Sequence, residues 1–176
     1  MRTNESEQTL GYVLIPSPFR EVAIVYCEKP FLLKKVFLPR ANRQRLLEAI
    51  AGVGKAKPGS HPKALSVAET VKEYFNGKPL QPNWKYLDMK GLTALQKSVL
   101  RATADIPFGT VRSYKEIAEA IRRPRAYRFV GTALANNPFP LLIPCHRVIR
   151  SDASLGQFGG GADLKRKLIE RETRMR

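Results

Sequence analysis

The chain has 176 residues, 43% of them hydrophobic, which suffices for a core without disulfides or metals in one domain or two small ones. Its longest apolar runs are far shorter than the ~20 residues that cross a bilayer, and residues 1–10 lack the apolar core of a signal peptide, so a cytoplasmic protein with no membrane contact is expected. The net charge of +16 favours a polyanionic partner, above all nucleic acid.

The first third of the chain predicts a β-meander. Three short runs rich in β-branched and aromatic residues, separated by turn residues, predict antiparallel strands over residues 11–16, 21–27 and 31–38. Helical spacing then predicts two helices that cover the sheet, over 40–51 and 65–75, with a loop at 52–62 between them. A proline-rich segment follows and places a domain boundary near Asp88, giving domains at 1–88 and 89–176.

The second half of the chain is predicted to be helical. A first amphipathic helix stops before Pro107, and Ser113 to Glu116 form a capping box that begins a second helix ending near Pro124. A third helix is predicted over 125–135. Two short helices joined by a tight turn are typical of a helix-turn-helix, in which the second helix contacts nucleic acid.

Charge and periodicity continue this pattern to the C-terminus. Residues 89–176 hold 17 basic and 7 acidic side chains (+10), against 14 and 8 (+6) for residues 1–88. The second half is therefore the expected nucleic-acid footprint. A last helix is predicted over 162–172 with leucines inward and four cations outward: Lys165, Arg166, Lys167 and Arg171.

The chain has two cysteines, Cys27 and Cys145, and two histidines, His61 and His146. This number is too small for a disulfide framework, and the four residues lack paired ligand spacing, so no metal site is expected. Cys27 ends an apolar run and is interpreted as a small buried hydrophobe.

Cys145 and His146 lie together in the apolar segment 139–149. Only a thiolate is a nucleophile, so Cys145 needs a proton acceptor, and His146 oriented by a carboxylate such as Glu172 would supply one. Arg147 and Arg150 add positive potential, which favours a lowered thiol pKa. The alternative is a buried cysteine beside a hydrogen-bonded histidine with no chemistry.

The run Ile143-Pro144-Cys145-His146-Arg147-Val148 resembles the active-site motif of the O6-alkylguanine-DNA alkyltransferases, also named methylated-DNA-protein-cysteine methyltransferases. The resemblance extends over residues 91–172. Further matching positions are 107–109, 113–114, 128, 130–131, 137–138 and the glycine-rich loop 156–161. It implies a mixed α/β fold, with an RNase H-like N-terminal antiparallel sheet and helices, and a mostly helical C-terminal winged-helix or helix-turn-helix domain.

The resemblance also implies an activity. Cys145 would take the alkyl group from O6 of guanine in double-stranded DNA in one irreversible displacement that consumes the protein and uses no cofactor. His146 would act as base through a water, Glu172 would orient it, and Tyr114 would donate its phenol proton to guanine N3 as the purine leaves.

The target base would leave the duplex from the minor groove, with Arg128 filling the gap, and the protein would act as a monomer. The expected DNA-binding residues are Ser113, Arg125, Ala126, Tyr127 and Arg128. The expected pocket residues are Asn137, Pro140, Val148, Phe158, Gly159 and Gly160.

Three positions depart from the family pattern. Phe158 stands where tyrosine is common, Ala153 where glycine is frequent, and Phe129 where a small residue often lies beside the arginine. Two other classes of protein remain open: a helix-turn-helix regulator that senses alkylation or redox state through Cys145, and a thiol hydrolase. The intact mass after mixing with alkylated DNA separates the three.

Overall fold

The computed structural model describes residues 9–176, and its first sheet contains the predicted meander. The segment 1–8, in which a signal peptide was not expected, lies outside the described residues. Adjacent strands pair antiparallel in the order given by the chain, with strand bounds within a residue or so of the prediction. These strands are β1, Leu10–Ile15; β2, Val22–Cys27; and β3, Leu32–Phe37.

A fourth strand, β4 (Ala56–Pro58), lies in the segment predicted as a loop, so that prediction is wrong there. It pairs parallel to β1 and completes the sheet order β3-β2-β1-β4. The strand has three residues and ends in proline, which a sheet edge tolerates because no ladder bond is needed on the outer side. Composition alone could not reveal it, since its pairing partner lies more than 40 residues earlier.

Two helices accompany this sheet: α1, Arg43–Ala51, and α2, Pro62–Phe75. α1 begins later than predicted because Asn42 caps it, its Oδ1 accepting from the Arg45 N–H at 2.9 Å. Leu46 and Ile50 of α1 pack against the sheet in one buried cluster with Ala23, Val25 and Phe37. α2 begins three residues before the predicted start, where His61 Nδ1 accepts from the Lys63 N–H at 3.2 Å.

The chain divides into two compact units. Of the described residues, the first unit contains 9–72 together with 83–88, and the second contains 73–82 and 89–176. α2 therefore begins in the first unit and ends in the second. The domain boundary after Asp88 stays a prediction. The predicted first domain includes residues 73–82, whereas the division into compact units places them in the second unit.

The second unit contains the predicted helix-turn-helix. Thr93 and Ser113 each begin a helix with a capping box, in which side chain and backbone exchange hydrogen bonds. Three helices pack on one another: α3, Ala94–Ala104; α4, Tyr114–Ala120; and α5, Tyr127–Ala135. A short parallel strand pair joins the start of α4 to the segment after Cys145: β5, Arg112–Ser113, and β6, Val148–Ile149.

The turn between α4 and α5 is longer than predicted. α4 ends at Ala120 rather than near Pro124, because Arg122 adopts a left-handed conformation (φ +56°). The Arg123 N–H then bonds back to the carbonyl of Ala118 at 2.8 Å. α5 accordingly begins at Tyr127, two residues after the predicted start.

The last helix, α6 (Gly161–Arg174), extends a little beyond its predicted ends. The outward position predicted for Lys165 is wrong, since Lys165 is fully buried. Its neighbours along the same face are Leu168 and Glu172, also buried, at the i+3 and i+7 positions of a helix. The predicted mixed α/β class is confirmed.

Within residues 9–176, no helix combines the length and the apolar character needed to cross a membrane.

The buried cluster of the first unit predicts a large stability effect for Leu46→Ala. Leu46 is 1% exposed, so the change removes apolar contacts and leaves a cavity, and we expect a loss of about 2–5 kcal/mol in the free energy of unfolding. Urea denaturation followed by circular dichroism measures this loss.

The matched control is Leu65→Ala in α2, because Leu65 is 46% exposed. A surface leucine of this kind is expected to change the free energy of unfolding by about 0.5 kcal/mol or less. Equal losses for the two variants would contradict the packing of α1 on the sheet.

Candidate active site

A buried segment delivers Cys145 to its position. Residues 139–148 are all buried, and the side chain of Asn137 holds both ends of the turn before the cysteine. Asn137 Nδ2 donates to the Ile143 carbonyl at 2.9 Å, and Asn137 Oδ1 accepts from the Phe139 N–H at 3.0 Å. The amide therefore fixes the path of the chain between α5 and Cys145.

Cys145 begins a 3₁₀ turn, Cys145–Arg147, and is 7% exposed. Burial raises the pKa of its thiol, while a hydrogen bond from Asn137 and the charge of Lys165 act in the opposite direction. The lowered thiol pKa expected from the sequence is therefore wrong for the free protein. The reason is that removal from water disfavours the thiolate more than nearby cations favour it.

His146 and Glu172 are brought together at the centre of the second unit. The Nε2 atom of His146 lies 2.7 Å from Oε1 of Glu172, and both side chains are buried. The other ring nitrogen, Nδ1, is buried without a hydrogen-bond partner among residues 9–176. Burial lowers the pKa of His146 although Glu172 acts to raise it, so the imidazole is neutral near pH 7.

Glu172 accepts hydrogen bonds on both oxygens. The guanidinium of Arg147 donates to Oε2 through Nε at 2.8 Å and to Oε1 through Nη2 at 3.1 Å, and the Gly109 N–H donates to Oε2 at 3.0 Å. Burial alone would raise the pKa of Glu172, but His146 and Arg147 outweigh it and hold the pKa at about 2. Arg147, expected to supply positive potential to Cys145, is instead paired with this carboxylate.

Gly109 approaches Glu172 closely because it has no side chain. Its φ of +72° lies in the left-handed region, and a Cβ there would lie 3.1 Å from the Glu172 carbonyl oxygen. Glycine is therefore required for the Pro107-Phe108-Gly109 loop to bring its N–H to the carboxylate.

Tyr74 is the last of the groups around Glu172, and it was not predicted from the sequence as a site residue. Tyr74 is 2% exposed in the last turn of α2, and its hydroxyl donates to Oε1 of Glu172 at 2.8 Å. The same Oη lies 3.3 Å from His146 Nε2. Tyr74 falls within the helix predicted over 65–75, but no sequence signal indicates what its hydroxyl contacts.

Lys165 is the second residue that was missed. Its ammonium donates to the carbonyls of Val148, at 2.6 Å, and Leu155, and lies 5.7 Å from the centre of the Tyr114 ring. Burial lowers its pKa to about 8, although Cys145 acts to raise it. The spacing of residues 165, 168 and 172 on one helix face was the signal that could have found it.

Tyr114 lines an open cleft of about 650 Å³. Its hydroxyl lies against Gly156, where a Cβ would approach within 2.7 Å of Oη, and burial raises its pKa. Cys145 is not among the lining residues, which are Tyr114, Tyr127, Arg128, Gly131, Thr132, Ala135, Arg150, Gly156 and Gln157.

The residues expected to bind DNA surround the helix-turn-helix. The Ser113 hydroxyl caps α4, accepting from the Glu116 N–H at 3.1 Å. Arg125 is exposed in the turn, Ala126 is the residue that precedes α5, and Tyr127 is 44% exposed. Arg128 is exposed, with its guanidinium carbon 5.6 Å from the centre of the Tyr127 ring.

The residues expected to line the pocket divide into two groups. Pro140 and Val148 belong to the same buried segment as Cys145, whereas Phe158, Gly159 and Gly160 belong to the glycine-rich loop before α6. The ring of Phe158 lies edge-on to His146, with 6.4 Å between their centres, so an aromatic face is present without a phenol.

Two other departures also have a defined place. Ala153 adopts φ +64°, a conformation that glycine adopts more readily. Its turn closes nevertheless, through an Arg150 N–H to Ser154 carbonyl bond of 2.8 Å. Phe129 is partly buried on α5.

These positions support one chemistry best. A cysteine adjoins a neutral imidazole that a carboxylate aligns, which is the arrangement of nucleophile, base and orienting group. No cluster of three potential metal ligands occurs among residues 9–176.

Residues 94–174 match the family model described as 6-O-methylguanine DNA methyltransferase, DNA binding domain. The chain is 47% identical to a methylated-DNA–protein-cysteine methyltransferase of Methanosarcina barkeri over 105 residues, which cover 60% of this chain and 65% of that protein. It is 39% identical to one of Mycobacterium bovis over 129 residues, covering 73% and 77% of the two chains.

A solved structure matches more of the chain. The crystal structure of Mycobacterium tuberculosis OGT in complex with DNA is 31% identical, with a TM-score of 0.75, and the match covers 94% of each chain. The similarity therefore extends through both compact units and is not confined to the DNA-binding segment.

The hydrogen bonds of Glu172 predict how stability depends on pH. Glu172→Gln leaves the Arg147 guanidinium buried without a counter-ion, and we expect a loss of about 3–5 kcal/mol at pH 7. Because the pKa of Glu172 is about 2 in the folded chain and ~4.3 when unfolded, its contribution is complete above pH ~4.3. It is lost as pH falls towards 2, so the deficit of the variant shrinks across that window. Chemical denaturation at several pH values measures it.

Glu170→Gln is the matched control on the same helix. Glu170 pairs with Arg174 at 3.4 Å on the surface, and such a pair contributes about 0–1 kcal/mol. A Glu172→Gln deficit that stays constant from pH 7 to pH 3 would show that the carboxylate does not have a depressed pKa.

Proposed function

The chain belongs to the family of methylated-DNA–protein-cysteine methyltransferases, and we propose that it repairs DNA by transferring the alkyl group of O6-alkylguanine to its own Cys145. Membership follows from two relatives, 39% and 31% identical to this chain, whose matches cover 77% and 94% of their own lengths. The family predicted from the resemblance of residues 143–148 is therefore confirmed. The observation that carries the activity is the buried Cys145 in one 3₁₀ turn with His146, whose imidazole is aligned by Glu172.

The proposed step balances without a cofactor. The sulfur of Cys145 forms a bond to the alkyl carbon with its own electron pair, and the bond from that carbon to O6 breaks, its electrons remaining with the guanine. The thiol proton goes to His146, and the Tyr114 hydroxyl offsets the charge on the departing purine. A thioether is a poor electrophile, so the alkyl group remains on the protein and each chain reacts once.

We assign the substrate contacts to the elements around the cleft. Minor-groove readout distinguishes sequences poorly, which suits repair in any sequence context. In this assignment α5 lies in the minor groove, Arg128 occupies the space of the flipped guanine, and Ser113, Arg125, Ala126 and Tyr127 lie along the backbone. The flipped base would be held by Asn137, Pro140, Val148, Phe158, Gly159 and Gly160.

The cleft supports this assignment, because it is lined by both Tyr114 and Arg128. The M. tuberculosis relative was crystallised in complex with DNA. We further propose that the protein acts as a monomer in the cytoplasm, where its two free cysteines would stay reduced.

The first prediction from this function is stoichiometric transfer. Mixing the protein with an excess of O6-methylguanine DNA should add a single methyl group per chain, seen as about 14 Da in the intact mass. Peptide mass spectrometry should place it on Cys145 and not on the buried Cys27.

Cys27→Ser is the control, and we expect it to react like the wild type. Repair of several methyl groups per chain would overturn irreversible self-alkylation and favour a hydrolase. Unchanged mass with intact DNA binding would favour a regulator.

The second prediction separates base flipping from chemistry. Arg128→Ala should slow transfer from duplex DNA much more than transfer from free O6-methylguanine base, since unstacking a base costs a few kcal/mol and arises only in the duplex. Single-turnover rates with the two substrates measure the difference.

Arg166→Ala removes the same charge from an exposed position on α6 and serves as the matched control. Its effect should be confined to DNA affinity and should diminish at high salt. If Arg128→Ala slows both substrates equally, Arg128 belongs to the structure of the pocket and the flipping role is wrong.

A further inference from the structure

The hydroxyl of Tyr74 lies between His146 and Glu172, the proposed base for Cys145 and the carboxylate that aligns it. Its Oη is 2.8 Å from Oε1 of Glu172 and 3.3 Å from Nε2 of His146. A phenol has one proton to donate, so it acts as donor to only one of these two atoms. Whether Glu172 Oε1 or His146 Nε2 accepts this proton depends on which ring nitrogen of His146 is protonated.

The distances assign the phenol proton to Glu172. The pKa of Glu172 is about 2, so both of its oxygens are acceptors only. His146 Nε2 lies 2.7 Å from Oε1, and this nitrogen must therefore carry a proton and cannot accept one from Tyr74. Burial, followed by the charge of Glu172, raises the pKa of Tyr74, which keeps its proton in place.

We propose that Tyr74 is a positioning residue for alkyl transfer: its hydroxyl donates to the same Oε1 of Glu172 that accepts from the His146 Nε2–H, and so keeps the imidazole neutral in the tautomer that Glu172 fixes. This inference rests on the proposed function. The nitrogen with the free lone pair is then Nδ1, which is buried without a hydrogen-bond partner among residues 9–176. That lone pair takes the thiol proton, through a water, as the Cys145 sulfur attacks.

Several charged groups shift the pKa of His146, and Tyr74 weakens the effect of one of them, Glu172. Burial, Arg147 in the same 3₁₀ turn and Lys165 of α6 favour the neutral ring, whereas Glu172 of α6 favours the imidazolium. The hydrogen bond that the phenol donates to Oε1 partly offsets the negative charge on this oxygen, which weakens the attraction of the carboxylate for an imidazolium. Tyr74→Phe removes that hydrogen bond, so the pKa of His146 should rise.

Nitrogen-15 NMR of histidine-labelled protein tests this directly. The chain has two histidines, so the signal of His61 is an internal reference. Tyr74→Phe retains the ring that packs edge-on to Phe108 at 6.1 Å. We expect the Nε2–H tautomer of His146 in the wild type, and titration of His146 at higher pH in the variant.

The transfer rate provides a second readout. With free O6-methylguanine base, single-turnover transfer at pH 7 should be about tenfold slower in Tyr74→Phe, a part of the 10²–10⁴-fold that acid–base catalysis supplies. Because a base of raised pKa becomes protonated at higher pH, the acidic limb of the rate profile should also move to higher pH. A purely structural role for Tyr74 would leave that limb in place.

Tyr26→Phe is the matched control. Tyr26 is fully buried in the first unit, and its Oη accepts from the His61 N–H at 3.3 Å, away from Glu172. Loss of this hydroxyl should leave the pKa of His146 and the transfer rate unchanged.

An Nδ1–H tautomer in the wild type would overturn the proposal, and this measurement remains decisive even if the variant does not fold. An unchanged His146 pKa in Tyr74→Phe would overturn it as well. The NMR measurements need no substrate. If they give the expected results while the wild type transfers no alkyl group, the proposed function fails and the Tyr74 geometry stands.

Discussion

The carboxylate of Glu172 is the group around which the site of the second unit is assembled. It accepts five hydrogen bonds from four residues in three separate parts of the chain: Tyr74, Gly109, and the consecutive His146 and Arg147. A carboxylate and a guanidinium removed from water cost several kcal/mol each, and these bonds offset that cost only while all the donors are in place. The end of α2, the 107–109 loop, the 3₁₀ turn and α6 are therefore held in one arrangement.

This arrangement serves placement more than stability. A buried ion pair is often no more stabilising than an apolar core of the same volume. The charges around Glu172 fix the orientation of the His146 imidazole, with Nε2 on the carboxylate and Nδ1 free of hydrogen bonds among residues 9–176. Lys165 is a similar case, since an ammonium whose pKa falls to about 8 on burial is held by two carbonyl oxygens beside Tyr114.

The buried site and the exposed helix-turn-helix divide the proposed task. The side chains of Arg128 and Tyr127 are exposed on α5, where they are accessible to a nucleic acid. Asn137 lies at the junction, where its amide ties the segment after α5 to the turn that delivers Cys145. A contact made by α5 is thereby linked through a short, hydrogen-bonded path to the nucleophile.

The sequence by itself determined the local features: the meander, the capping box at Ser113 and the motif that identifies Cys145 and His146 as candidates. These are encoded in neighbouring residues, whose periodicity and backbone preferences act over a few positions. The tertiary structure alone decided the short strand β4, the burial of Lys165 and the contact between Tyr74 and Glu172, which are 98 residues apart. Periodicity reports that a side chain is buried, but the partner of a buried polar atom depends on which distant segment packs against it.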